Sequence, residues 1–159
     1  MQIPLTQGKT AIVDDSDYPF LSQFKWQAMF NRGRWYARAW IGGRRVTMHR
    51  ALIQANARQP IDHKNGNGLD NRRSNLRLCT PAQNAMNRRP QKHSSRYKGV
   101  RWHSDYSKWV ARIKVNQKLI HIGCFQTEEE AAEAYNREAV KLFGEFAMLN
   151  KIEREVSCP

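Results

Sequence analysis

Pro60-Ile61-Asp62-His63-Lys64-Asn65-Gly66-Asn67, followed by Arg73-Ser74-Asn75-Leu76-Arg77 and then Thr80-Pro81-Ala82-Gln83-Asn84, is the stretch on which the reading of this chain turns. Ile61-Asp62-His63 reads as a strand, and the Asn65-Gly66 and Asn67-Gly68 dipeptides demand a tight turn and a loop. Leu76-Arg77-Leu78-Cys79 reads as a second short strand. Thr80 then stands as an N-cap with Pro81 at the first helical position, opening a helix that carries Asn84 on its first turn. An aspartate beside a histidine on a strand, with an amide returning from a nearby helix, can hold one divalent metal and activate one water beside a phosphodiester.

Working outward, a helix is expected from His49 to about Asn56. Before it, Thr10-Ala11-Ile12-Val13 reads as a strand, and Asp14-Asp15-Ser16-Asp17 as a turn and helix cap. Tyr18 to Phe24 reads as a short helix with Phe20, Leu21 and Phe24 inward. Trp26–Phe30, Trp35–Ile41 and Arg44–Met48 look like strands joined by Asn31-Arg32-Gly33 and Gly42-Gly43 turns. Arg32, Arg34, Arg38, Arg44 and Arg45 either line a DNA-facing surface or form a solvated face over an aromatic core.

Charge points to a polyanionic partner. The 159 residues hold 27 Lys and Arg against 14 Asp and Glu, a net +13. The net charge is +4 over residues 1–48, +8 over 49–96 and +1 over 97–159, the last divided into +5 over 97–121 and −4 over 122–159. Three cysteines, Cys79, Cys124 and Cys158, lie far apart with no Cys-x-x-Cys pair, which excludes a zinc ribbon or a disulfide framework and leaves buried or inert thiols. No apolar run is long enough for a membrane span, and Met1-Gln2-Ile3-Pro4 lacks the features of a signal peptide. A soluble, intracellular (cytoplasmic) protein is expected.

The central segment resembles the His-Asn-His (HNH) endonucleases, and within them the homing, intron-encoded nicking branch that lacks structural zinc. The resemblance implies a ββα-metal arrangement. It makes His63 the general base, a job suited to a group titrating near neutral pH. Asp62 and Asn84 become oxygen ligands to one divalent ion, magnesium or manganese, without zinc. Asn75 is the middle motif residue, tying the loop to backbone so that the base is held in place. His49 also belongs to the resemblance, or else only packs or caps. Arg72, Arg73 and Arg77 either hold the scissile backbone or are solvated charge.

Arg88 to Arg96 reads as a basic linker, with Pro and Ser and no acidic or apolar side chain. Beyond it stand Tyr97-Lys98-Gly99-Val100-Arg101, Lys108-Trp109-Val110-Ala111-Arg112-Ile113, Ile122-Gly123-Cys124-Phe125 and Thr127-Glu128-Glu129-Glu130-Ala131-Ala132-Glu133-Ala134-Tyr135-Asn136. These look like the Apetala-type domain of plant ethylene-response factors. Three strands, about 98–103, 108–115 and 118–125, precede one helix from 128 to about 143. Thr127 and Glu130 form a capping box, and Gly144 ends the helix. Ala132, Tyr135, Ala139 and Leu142 face the sheet. Lys98, Arg101, Arg112, Lys114, Lys118 and His121 are then left for the DNA-binding face. Arg112 and His121 depart from the plant pattern, an acidic residue and a tryptophan, so the plant target sequence does not transfer.

The expected architecture is α+β. It comprises an N-terminal antiparallel sheet (1–48), a ββα-metal motif (49–89), a linker (90–96), a sheet-and-helix DNA-binding domain (97–150) and a tail (151–159). The function expected is a metal-dependent endonuclease of homing or mobile-element type acting on double-stranded DNA as a monomer or homodimer, in a bacterium or phage-infected cell. The alternatives are a non-cleaving DNA-binding regulator and a phage packaging or defence nuclease of low specificity.

Overall fold

The computed structural model describes residues 1–53, 55–56, 58–87 and 94–152. Most of the expected basic linker, Cys158 and residues 153–159 lie outside the described residues. By internal contacts the chain divides into two units, Met1–Asn84 and Ala85–Pro159.

The first unit opens with a short hairpin that the sequence reading half anticipates: β1 (Gln2–Pro4) pairs antiparallel with β2 (Thr10–Ile12). β1 was not expected, being three residues long and ending in proline. The expected helix over Tyr18–Phe24 is a single turn, α1 (Tyr18–Leu21), in which Leu21 is fully buried while Phe20 turns outward. Phe24, just past that turn, is half-buried and packs against the core as expected, so of the three only Phe20 departs. β3 (Gln27–Asn31), β4 (Arg34–Ile41) and β5 (Arg44–Thr47) then form an antiparallel sheet in that order. Arg32, Gly33, Gly42 and Gly43 all have positive φ, the twist that two-residue hairpin turns need. α2 (Met48–Leu52) is shorter than expected, because the backbone becomes extended at Ile53.

β6 (Ile61–His63) and β7 (Leu76–Leu78) pair antiparallel, with Asp62 opposite Arg77 and His63 opposite Leu76. α3 (Pro81–Met86) follows. Its entry is fixed reciprocally: the Gln83 amide N–H donates to Thr80 Oγ1 at 3.2 Å, and the Thr80 N–H donates to Gln83 Oε1 at 2.8 Å.

One apolar core serves the whole first unit, running from Ile3, Val13 and Leu21 through Ala37, Ala39, Met48 and Leu52 to Ile61 and Leu76. A boundary at residues 48/49 therefore does not separate two cores. The Leu21 and Met48 side chains are removed from water completely, each contributing about 1.5–3 kcal/mol.

In the second unit β8 (Val100–His103), β9 (Lys108–Val115) and β10 (Lys118–Phe125) form an antiparallel sheet with β9 central. α4 (Glu128–Phe143) lies against it, with the Thr127–Glu130 capping box in place. Ala131 and Ala132 meet Tyr97, Val100 and Ala111, while Tyr135, Ala139 and Phe143 meet Ile113. Phe143, and not the expected Leu142, completes the inward row, since 135, 139 and 143 recur every four residues and Leu142 is left exposed. Gly99, at φ +77°, lies so close to the Tyr135 ring that no Cβ fits there. Asn150 fastens the end of the fold. Its side chain pairs with both the N–H and the C=O of Lys98, and its backbone with the Asn136 amide.

Candidate functional site

The site grows from the short pair β6–β7 and the loop between them. Asn75 binds that loop to itself. Its Oδ1 accepts the Asn65 N–H at 3.0 Å, and its Nδ2 donates to the Asp70 carbonyl at 2.7 Å and to Asn65 Oδ1 at 3.1 Å. Asn65 and Asn67 each accept a backbone N–H two residues on, the Asx-turn habit that makes asparagine a loop residue. Gly68 passes so close to β4 that a Cβ there would lie 2.7 Å from the Tyr36 ring. The N-terminal hairpin holds the loop from outside: the Ile12 N–H donates to the Leu69 carbonyl at 2.8 Å, and the Asn71 N–H donates to the Ile12 carbonyl at 2.7 Å.

His63 is buried at the start of this loop. Its Nε2 lies 3.4 Å from the Asn71 Oδ1. Asn71 is fully buried, and its Nδ2 has no hydrogen-bond partner among the described residues. Two more rings surround the imidazole. His49 stands edge-on at 5.1 Å between centroids, and Tyr36 lies 6.0 Å from both histidines. Burial pushes the His63 pKa below its ordinary value and outweighs Asn71, Asp62 and Asp70, which act to raise it. His49 is pushed down to about 3 by burial first, then by the charges of His63 and Arg50. Both imidazoles are neutral near pH 7, the state in which one can take a proton.

Asp62 projects from the adjacent position of β6 and is buried. Its Oδ2 accepts two hydrogen bonds from Arg77, from Nε at 3.0 Å and Nη2 at 2.7 Å. The expectation of Arg77 as a DNA-facing residue is corrected here, since its side chain is 9% exposed and paired across the strands with Asp62. Arg72 grips Asp70 with two hydrogen bonds, at 2.8 and 2.7 Å, and holds that carboxyl below the usual carboxylate range. Arg73 pairs with Asp17 at 2.8 Å and so ties the loop to the N-terminal segment. Asn84 is half-buried on the first turn of α3, its N–H donating to the Thr80 carbonyl at 2.9 Å.

Asp62 and Asn84 offer hard oxygen donors, a carboxylate and an amide. That donor set suits a small hard cation that keeps several waters. Among the described residues no group of three or more His, Cys, Asp or Glu converges as a metal cage.

In the second unit, strand register decides which basic residues share the face turned away from α4. Arg101 pairs with Val110, His121 with Arg112, and Leu119 with Lys114, all on that face. Two expected members lie elsewhere. Lys118 pairs with Val115, which packs into the helix-side core. Lys98 directs its ammonium to the Met86 carbonyl. The reason for the second is local: Lys98 precedes β8, where strand alternation no longer sets its direction. Neither free cysteine in the described residues, buried Cys79 or exposed Cys124, forms a disulfide. No described helix is long and apolar enough to cross a membrane.

Tyr36, His49 and Asn71 were not read as site residues from sequence, apart from the open reading of His49. Each comes from a segment outside the strand that bears His63.

A strand-borne Asp-His pair, a loop tied by asparagines and a following capped helix define an endonuclease of the HNH class. The HNH endonuclease family matches residues 59–86. An uncharacterized HNH endonuclease of Acanthamoeba polyphaga mimivirus is 35% identical over 153 residues, spanning 92% of this chain and 78% of that protein. The chain belongs to the HNH endonuclease family. Over a little more than a third of its length the chain is also similar to plant transcription factors and element-binding proteins. The AP2-like ethylene-responsive transcription factor PLT2 of Arabidopsis thaliana is 44% identical over 59 residues, 36% of this chain and 10% of that factor. Dehydration-responsive element-binding protein 2E of Oryza sativa subsp. japonica is 43% identical over 63 residues, 38% of this chain and 20% of that protein.

Proposed function

We propose that this endonuclease is metal-dependent, of homing or mobile-element type, and cuts double-stranded DNA with His63 as general base. The observation that carries the reading is the buried Asp62-His63 pair beside Asn71, at the mouth of the loop that Asn75 ties. With the Asn71 Oδ1 as acceptor, Nε2 holds the ring proton and Nδ1 carries the lone pair that takes a proton from the attacking water. Asn71 and Asn75 fix the imidazole and its loop, so the base meets the water in one orientation. Asp62 and Asn84 would hold one divalent ion, magnesium before manganese. When bound there, such an ion would supply charge neutralisation at the scissile phosphate and the leaving oxygen. Arg77 holds the Asp62 carboxylate in place through its two hydrogen bonds. Arg101, Arg112, Lys114 and His121 supply target preference from the free face of the C-terminal sheet.

Incubation of the purified chain with supercoiled plasmid and magnesium, with and without chelator, tests this. Nicked or linear product that disappears with chelator and with His63→Ala is expected. Nicking by the His63 variant at the wild-type rate overturns the assignment.

A further inference from the structure

From Tyr18 to Ile61 the chain contains no acidic residue, and five arginines fall on or between the three strands of the N-terminal sheet. Register sorts them. Ala28 opposite Ala37, and Ala39 opposite Val46, form the face turned to the core. The other face carries Arg34 opposite Asn31, Tyr36 opposite Met29, Arg38 opposite Gln27 and Thr47, and Trp40 opposite Arg45. Arg32 sits in a turn and Arg44 on the core side, opposite Ile41.

This second face is also a wall of the nuclease site. Tyr36 lies against both His49 and His63, and Thr47 Oγ1 is 3.1 Å from His49 Nε2. Arg34, one alternation before Tyr36, acts on the His63 charge. On the other side of Tyr36 follow Arg38, whose guanidinium is braced on the Met29 sulfur at 3.6 Å, and Trp40, which is 60% exposed. The Arg45 guanidinium lies 5.3 Å from the Trp40 ring centre. An exposed tryptophan under an arginine, in line with a second arginine and a catalytic histidine, is an apolar and cationic strip with no negative charge.

We propose that this strip is a track for the DNA duplex on one side of the cut, with Arg38 and Arg45 on backbone phosphates and Trp40 against the sugar wall. The occupant follows from charge complementarity and from continuity with the site, because a backbone passing His63 meets Tyr36 and then Arg38. The inference rests on the nuclease reading and adds the path by which substrate enters.

The test uses the full chain and a duplex containing a wild-type cut position, with binding measured in chelator over a series of salt concentrations. Arg38→Gln combined with Arg45→Gln should reduce the slope of log K against log salt by about 2, at about 0.9 for each phosphate no longer neutralised. A photoreactive side chain at position 40 should crosslink to DNA on one side of the cut only. This second measurement decides the matter if the double variant fails to fold. An unchanged slope in a folded double variant, or crosslinks absent or equal on both sides, overturns the track while wild-type nicking keeps the nuclease reading. An arginine-dependent slope and a position-40 crosslink to duplex DNA in a chain that never nicks would keep the strip as a duplex-binding surface and sink the nuclease reading.

Discussion

The Arg77 guanidinium holds one oxygen of Asp62 with two hydrogen bonds across β6–β7, at 3.0 and 2.7 Å, with both side chains nearly removed from water. Removing the cation leaves a buried carboxylate uncompensated. Arg77→Met should therefore destabilise the protein by about 3–5 kcal/mol, read by chemical denaturation of the full chain. Asp62→Asn combined with Arg77→Met should recover much of that loss while remaining inactive. If the single variant is as stable as wild type, the pair is not what holds β7 to β6.

Asn71 gives a sharper test of the general base. With a hydrogen-bond acceptor beside Nε2, Asn71→Asp should retain measurable cleavage. Asn71→Leu, close in size but without an acceptor, should lose rate by about 10²-fold or more with KM nearly unchanged, because orientation of the base and not DNA binding is removed. Nitrogen chemical shifts of the His63 ring should show Nε2 protonated in wild type and a mixture of tautomers in Asn71→Leu. Equal rates in the two variants would remove Asn71 from the machinery.

How much of this was legible in the sequence depended on whether the physics was local. The Asn65-Gly66 turn, the Thr80-Pro81 helix start and the Thr127–Glu130 capping box are fixed by neighbours within four residues, and each stands where the sequence places it. His63 and Asp62 were legible as a pair because adjacent positions on one strand need no tertiary information. Asn71 was not, since it reaches His63 only after Asn75 and the Ile12 backbone have folded the loop. Tyr36 carries no signal of its own within the strand from Trp35 to Ile41, and only the register of β4 directs it to the two histidines. Arg77 illustrates a signal that was present and unused: once Ile61 pairs with Leu78, Arg77 must stand opposite Asp62.

Acid should erode stability through His49. Its folded pKa of about 3 lies below the ordinary imidazole value of about 6.5, so between those pH values the unfolded chain binds a proton that the folded chain does not. Stability then rises with pH across this window and is flat above it as far as this group is concerned. His63, lowered in the same direction, adds to the slope. Denaturation midpoints measured from pH 7 down to pH 4 should fall less steeply for His49→Gln than for wild type. Parallel curves would place the acid sensitivity in other groups.

The last prediction concerns the division of labour between the two units. The free face of the C-terminal sheet carries Arg101, Arg112, Lys114 and His121, while the acidic residues Glu128, Glu129, Glu130 and Glu133 lie on α4 at the opposite side. Attraction to phosphate should therefore orient the sheet, and not the helix, toward DNA. A fragment beginning at Ser94 contains its own core and its Asn150 fastening, and it should fold and bind DNA with an affinity that drops steeply with salt. Residues 1–90 should keep metal-dependent cleavage and lose the choice of position. Arg101→Ala and Arg112→Ala should each relax preference by about 1–3 kcal/mol where the arginine reads a guanine edge. Equal weakening on every sequence would assign them to the backbone instead. Cleavage positions mapped on one plasmid for the full chain and for residues 1–90 decide the matter. Identical positions at equal affinity would move target choice to the first unit, with the arginine-rich N-terminal sheet as the leading candidate.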